Sequence, residues 1–248
     1  MKIIDSHMHC GIQNSDLPYN LIREYLDEGD ITGACLFAPV EDIYDRYHYH
    51  FEDNQLWAAC RKRANQYLLD IQKSHEDIFV YYFVWNDFRK DELAKGYKGI
   101  KWHRHEDEPV YHYDDPLCEA FLQEAYRLAL PIVLEESFEN TLYFVKRVAG
   151  QTPVIIPHLG MLNGGFHALF ESGIWDDETV YADTALAAAY EVKMFLERYG
   201  SDRIFFGSDF PFGRPRQELR KIASLNLPEV DYEKIVSTNI LKFLKISP

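Results

Sequence analysis

Two histidines one residue apart, His7 and His9, close the short apolar segment that opens with Lys2-Ile3-Ile4. Side chains on a β-strand alternate faces with a period of two, so a strand here turns both imidazoles to one side. Neutral imidazole is a favoured ligand for zinc-like ions, and two on one face make half of a transition-metal site. Other polar residues recur at the ends of apolar runs. Gly99-Ile100-Lys101-Trp102-His103-Arg104-His105 places Lys101, His103 and His105 on one face. Pro131-Ile132-Val133-Leu134-Glu135-Glu136 ends in two carboxylates, and Pro153-Val154-Ile155-Ile156-Pro157-His158 ends in a histidine. Asp183 and Asp209 close two further runs. Each has a plain structural use on its own: the aspartates suit caps, the glutamates suit a helix N-terminus, and His158 suits a local hydrogen bond. Their joint placement at strand ends is the pattern of a metal-centred site.

These residues need a frame that brings strand ends together. Near-continuous apolar runs at 2–9, 31–38, 78–86, 99–105, 131–136, 153–158, 179–185 and 203–209 read as buried parallel strands. Helical patterns fit between them. The stretch 51–73 carries Leu56, Cys60, Ala64, Tyr67, Leu68 and Ile71 at helical spacing. Asp115 as N-cap and Pro116 in the first turn open another helix, with Leu117, Phe121, Ala125 and Leu128 as its apolar stripe. The last helix shows Val236, Ile240, Phe243 and Leu244. Eight strands alternating with helices in 248 residues predict an α/β fold, a single (β/α)8 TIM-type barrel forming one domain over 1–248. In such a barrel the active site lies at the C-terminal strand ends. A doubly wound open sheet is the alternative, but no Gly-rich phosphate loop follows the first strand.

Composition narrows the partners. Hydrophobic residues at 47% and aromatics at 15% are ample for a large core. A formal charge of −14 disfavours nucleic acid and anionic membranes, which attract basic surfaces, and leaves a small molecule as the expected substrate. The N-terminus does not read as a signal peptide, and no apolar run approaches the ~20 residues of a membrane span. Cys10, Cys35, Cys60 and Cys118 are scattered without C-x-x-C pairing, which reads as reduced thiols and a cytoplasmic location. The oligomeric state is open, and a homo-oligomer is compatible with the sequence.

Four stretches resemble the amidohydrolase superfamily of metal-dependent hydrolases, and within it the amidohydrolase-2 branch that also holds aromatic-acid decarboxylases. They are Ile4-Asp5-Ser6-His7-Met8-His9, Gly99-Ile100-Lys101, Val154-Ile155-Ile156-Pro157-His158-Leu159-Gly160 and Phe206-Gly207-Ser208-Asp209-Phe210-Pro211, with Asn239-Ile240-Leu241 similar to the closing helix. The resemblance implies a divalent metal, zinc first and manganese second, held by His7, His9, Glu135, His158 and Asp209. It also implies that Asp209 accepts a proton from bound water and that His158 is either a ligand or a polarising group. Glu135 departs from the histidine expected on the fifth strand, which leaves open whether it coordinates, bridges two ions or yields to another residue. Lys101 occupies a strand where some members carry a carboxylated bridging lysine, although in this branch an unmodified one is expected. His103, like His158, suits stabilisation of an oxyanion. Arg214 and Trp102 are the expected substrate contacts, with Arg216, Trp85, Tyr44, Tyr47 and Tyr49 as further pocket candidates. The function this implies is metal-dependent hydrolysis of a small amide, ester or lactone by metal-activated water. The alternative is a metal-dependent non-oxidative decarboxylase of a small carboxylic acid.

Overall fold

A computed structural model of the chain describes residues 1–246; positions 247 and 248 of the expected domain lie outside them. Its strands are β1 (Ile4–His9), β2 (Gly33–Phe37), β3 (Ile78–Phe83), β4 (Gly99–His103), β5 (Ile132–Glu135), β6 (Val154–Ile156), β7 (Val180–Asp183) and β8 (Ile204–Phe205). All eight expected strands are present, and they pair in parallel in chain order. The segment beyond β8 closes the ring on β1. Ser6 N donates to Phe206 O (2.9 Å), Asp209 N to His7 O (2.7 Å) and His9 N to Phe210 O (2.8 Å). Gly207 permits this approach, since a Cβ there would stand 3.1 Å from both His7 Cβ and Ser6 Oγ. The result is an eight-stranded (β/α) barrel.

Residues paired across parallel strands face the same side, so the register assigns the lumen. His9 pairs with Phe37, Cys35 with Phe79, and Phe83 with Lys101. His103 pairs with Glu135, Val133 with Ile155, and Asp183 with Phe205. An apolar layer of Cys35, Phe37, Phe79, Tyr81, Val133, Ile155 and Phe205 fills the lumen below the polar strand ends, packed with Ile240 and Leu241.

The outer ring comprises α1 (Tyr19–Glu28), α2 (Gln55–Ser74), α3 (Pro116–Arg127), α4 (Phe138–Val148), α5 (Phe166–Ser172), α6 (Ala189–Tyr199) and α7 (Pro215–Ser224). A 3-10 turn, Lys90–Lys95, takes the helical place between β3 and β4. The chain ends in α8 (Glu229–Glu233), a π turn and α9 (Asn239–Phe243), burying Val236 and Ile240 as expected. Asp115 caps α3, its side chain accepting from Leu117 N at 2.8 Å. α2 starts four residues later than its apolar pattern suggested, because Asn54 accepts from Leu56 N and Trp57 N and so sets the N-cap. Leu56 and Leu117, assigned to apolar stripes, are 82% and 55% exposed. Both sit in first turns, before their helices reach the barrel.

Candidate metal centre and active site

β1 ends in the lumen, and its two histidines are fixed from behind. His7 Nδ1 donates to Asp183 Oδ2 at 2.9 Å and His9 Nδ1 to Ala38 O at 3.3 Å. His158 Nδ1 likewise donates to Ala185 O at 3.1 Å. Each ring therefore turns Nε2 toward the barrel axis, and such outer acceptors are what fix the tautomer of a metal-binding histidine. Asp209 reaches the same point across the closing seam, with Oδ1 3.1 Å from His9 Nε2 and 3.4 Å from His7 Nε2. His158 and Asp209 both sit in the left-handed backbone region, φ +57° and +56°, at the sharp turns that end β6 and β8. Donor atoms of His7, His9 and Asp209 lie within 4.8 Å of one another, as do those of His7, Glu135 and His158. Imidazole nitrogens mixed with carboxylate oxygens at this spacing fit a divalent cation.

Glu135 occupies the centre. Lys101 Nζ bonds its Oε1 and lies 3.2 Å from His7 Nε2. His158 Nε2 is 3.7 Å from Oε1, and His103 Nε2 is 3.3 Å from Oε2. Burial resists ionisation of Glu135, but Lys101 and His103 hold its carboxyl well below the usual range. Burial, reinforced by Lys101, keeps the His7 imidazole neutral. Burial also opposes a charge on His158, yet the hydrogen bond and charge of Glu135, with Asp209 and Asp183, raise it to about 9. Asp209 is resisted by burial in the same way, but His7, His9 and His158 around it lower its pKa.

These groups open into a cavity of about 250 Å3 with His9, His103, His105, Glu135 and Asp209 on its polar side. Val40, Met161, Leu162, Leu186 and Phe212 form the apolar side, with Arg46 at the edge. All seven residues expected to act as ligands or catalytic groups (His7, His9, Lys101, His103, Glu135, His158 and Asp209) thus meet at one end of the barrel.

The two expected substrate contacts do not meet there. Trp102 pairs in register with Leu134 on the outer face and is wholly buried among Phe88, Tyr111, Tyr113 and Phe144. Strand parity is the reason: if Lys101 and His103 face in, Trp102 faces out. Arg214 stacks on the Tyr25 ring, 4.9 Å from its centroid, and bonds its hydroxyl. Arg216 pairs with Glu28 at 3.5 Å on the exposed rim. Tyr44 stacks on Trp85 behind the site, whereas Tyr47 is 85% exposed. Glu136 turns away to Arg104 and Tyr113, as alternation requires.

Arg46, Glu108, Phe212 and Leu186 were not legible as site residues. Arg46 donates to Glu108 and to Glu41, and Tyr44 donates to Glu108 Oε2 at 2.7 Å. All four lie in loops, where no periodicity reports direction. The basic residue on the loop after β2 was the one available signal.

A barrel with a histidine–carboxylate cluster at its C-terminal strand ends defines a class of metal-assisted enzymes. The family model described as Amidohydrolase matches residues 4–246, and the chain belongs to this family. No curated protein matches it. Among solved structures it is similar to a 2,6-dihydroxybenzoate decarboxylase from Rhizobium, at 16% identity and TM-score 0.78, with 98% of each chain covered. It is also similar to a probable 2-pyrone-4,6-dicarboxylic acid hydrolase from Acinetobacter baumannii with citric acid bound, at 14% identity, TM-score 0.73 and coverage of 99% and 100%. A third is a dihydroxybenzoic acid decarboxylase from a Polaromonas species with bound manganese and the inhibitor 2-nitroresorcinol, at 14% identity, TM-score 0.74 and coverage of 98% and 97%. At these identities the likeness is one of fold. No described helix is long and apolar enough to cross a membrane, and all four cysteines are free and buried.

Proposed function

We propose that the chain is a metal-dependent hydrolase of a small amide, ester or lactone. The observation that carries this reading is the position of Asp209, an ionised carboxylate on the cavity wall directly beside the inward nitrogens of His7 and His9. His7, His9 and Asp209, with Glu135 alongside, would hold a divalent cation, which would supply the positive charge that acidifies water at neutral pH. Asp209 then accepts a proton at its carboxylate and returns it to the leaving group. His158 faces the same centre, its Nε2 3.9 Å from Asp209 Oδ2, and would polarise or donate to a developing oxyanion. Lys101 neutralises Glu135 and keeps its carboxylate in place. His103 borders the substrate space and offers a second polar contact. The two imidazoles favour zinc, while the two carboxylates extend the range to manganese. Free thiols support a cytoplasmic site of action.

The second reading is decarboxylation of a small aromatic acid. The shared lining of Leu162, Leu186, Phe212 and Arg46 favours it, since a ring would lie against the apolar side chains and its carboxylate would pair with the guanidinium. The neighbours named for dihydroxybenzoates act on substrates of this kind.

A panel of lactones, esters, amides and hydroxybenzoic acids, assayed with zinc- and manganese-loaded protein, tests both readings. Acid release without CO2 is expected, with Asp209→Asn lowering kcat about 10²–10⁴-fold. CO2 release from the aromatic acids selects the second reading. An Asp209→Asn variant with full activity overturns the role given to that carboxylate.

A further inference from the structure

The two oxygens of Glu135 face different sets of imidazoles. Oε1 lies 3.9 Å from His7 Nε2 and 3.7 Å from His158 Nε2. Oε2 lies 3.3 Å from His103 Nε2 and 3.7 Å from His105 Nε2. Donor atoms of His103, His105 and Glu135 fall within 4.8 Å of one another. Ligands at about 2.1 Å from a tetrahedrally held ion stand roughly 3.4 Å apart, close to both of these separations.

The hydrogen bonds of His103 agree with this spacing. Tyr44 gives its one hydroxyl hydrogen to Glu108 Oε2 at 2.7 Å, so its oxygen is free to accept from His103 Nδ1 at 3.4 Å. His103 Nε2 is then bare and faces a carboxylate oxygen. His105 Nδ1 accepts from Arg46 Nη2 at 3.2 Å, which leaves the hydrogen of the neutral ring on Nε2; an ion bound there would move that hydrogen to Nδ1, which lies 3.4 Å from Glu108 Oε1. His105 Nε2 is buried and has no hydrogen-bond partner among the described residues. The His103 lone pair and an anionic oxygen turned on one another repel unless a cation stands between them. Lys101 does not fill that position, because its ammonium is bound to Oε1 on the other side.

We propose that His103 Nε2, His105 Nε2 and Glu135 Oε2 form a second site for a zinc-like divalent ion, distinct from the His7, His9 and Asp209 set and joined to it through the Glu135 carboxylate. This extends the proposed function, on which it rests only for the first ion. All three donors border the substrate cavity, so the fourth position of a tetrahedral ion opens toward it. The site is built from the tip of β4 and the second residue beyond it, together with the strand end of β5.

Metal analysis of full-length protein loaded with zinc alone and dialysed tests the site without recourse to activity. Two equivalents are expected in the wild type and one in His103→Asn/His105→Asn. Manganese-loaded wild type should show the electron spin resonance signal of a coupled pair, replaced by isolated manganese in that double variant. His105 is on a half-exposed loop position, so His105→Ala alone leaves the fold intact and should weaken the second equivalent at least tenfold. One equivalent in the wild type, or two that persist in His103→Asn/His105→Asn, overturns the site. Two bound ions without turnover on the substrate panel would instead overturn the function and leave the site standing.

Discussion

Lys101 and Glu135 are the most enclosed ion pair in the molecule's polar centre, both almost without solvent contact. Breaking a buried pair leaves an uncompensated charge, which is far worse than lacking the pair altogether. Lys101→Met should therefore destabilise metal-free protein by about 3 kcal/mol in chemical denaturation. Added zinc should recover part of the loss, since a divalent ion restores positive charge beside Glu135. Asp42, which belongs to neither set of candidate ligands, provides a second residue-scale test. It is fully buried and accepts from Asn14 N at 2.8 Å, and its other oxygen has no partner among the described residues. Burial raises its pKa. The folded state thus holds the proton more tightly than the unfolded chain, so its stabilising contribution is full below about pH 4 and lost as pH rises through the folded pKa. Asp42→Asn keeps the acceptor and removes the titration. Its melting temperature should exceed that of the wild type near pH 7, with the gap closing toward pH 4.

At the scale of elements, β3 is tied to α2 through Asn65 at its end and Gln72, which accepts from Val80 N at 2.9 Å. Asn65 on α2 accepts from Phe83 N at 2.8 Å and donates to Phe83 O at 3.1 Å, satisfying the end of the strand where β3 leaves the ladder. Asn65→Leu would leave a buried N–H and C=O unpaired, at about 1–3 kcal/mol each. Denaturation midpoints should fall accordingly, whereas substituting the exposed Lys62 on the same helix should change little. The positions of the elements were largely readable from the chain. Near-continuous apolar runs marked the strands because both faces of a barrel strand are buried, and Asp115-Pro116 marked a helix start by its chemistry. The start of α2 was misjudged because Asn54 overrides the apolar pattern before it. Trp102 was misassigned although the parity of Lys101 and His103 already placed it on the outer face.

At the scale of the molecule, the closing seam makes the site. His9 and Asp209 are 200 residues apart and meet only because the segment after β8 bonds to β1. A cation that bridges them ties the first strand to the last, so its binding free energy adds to the stability of the closed barrel. Chelation should lower the melting temperature, and zinc at 1,000 times its dissociation constant should add about 4 kcal/mol. The His7→Ala/His9→Ala variant should lose most of that zinc-dependent increment in calorimetry. Retention of the full increment would mean that the histidines do not hold the ion.

What the chain determined by itself is periodic or chemical: which runs are strands, which side chains share a face, and which residue types favour a cation. His9, His103, Glu135, His158 and Asp209 were identifiable because each stands at the end of an apolar run, His7 and Lys101 because they share a face with His9 and His103, and a barrel gathers strand ends at one mouth. Tertiary structure decided what periodicity does not encode. The orientation of the Glu135 oxygens, the cavity walls at Leu186 and Phe212, and the support of Arg46 and Tyr44 by Glu108 depend on loops meeting across the mouth. Loop side chains follow no repeat, so their directions emerge only when the ring closes. Arg214 shows the same limit: its position in sequence after β8 suggested the cavity, and the turn into α7 carried it to Tyr25 instead.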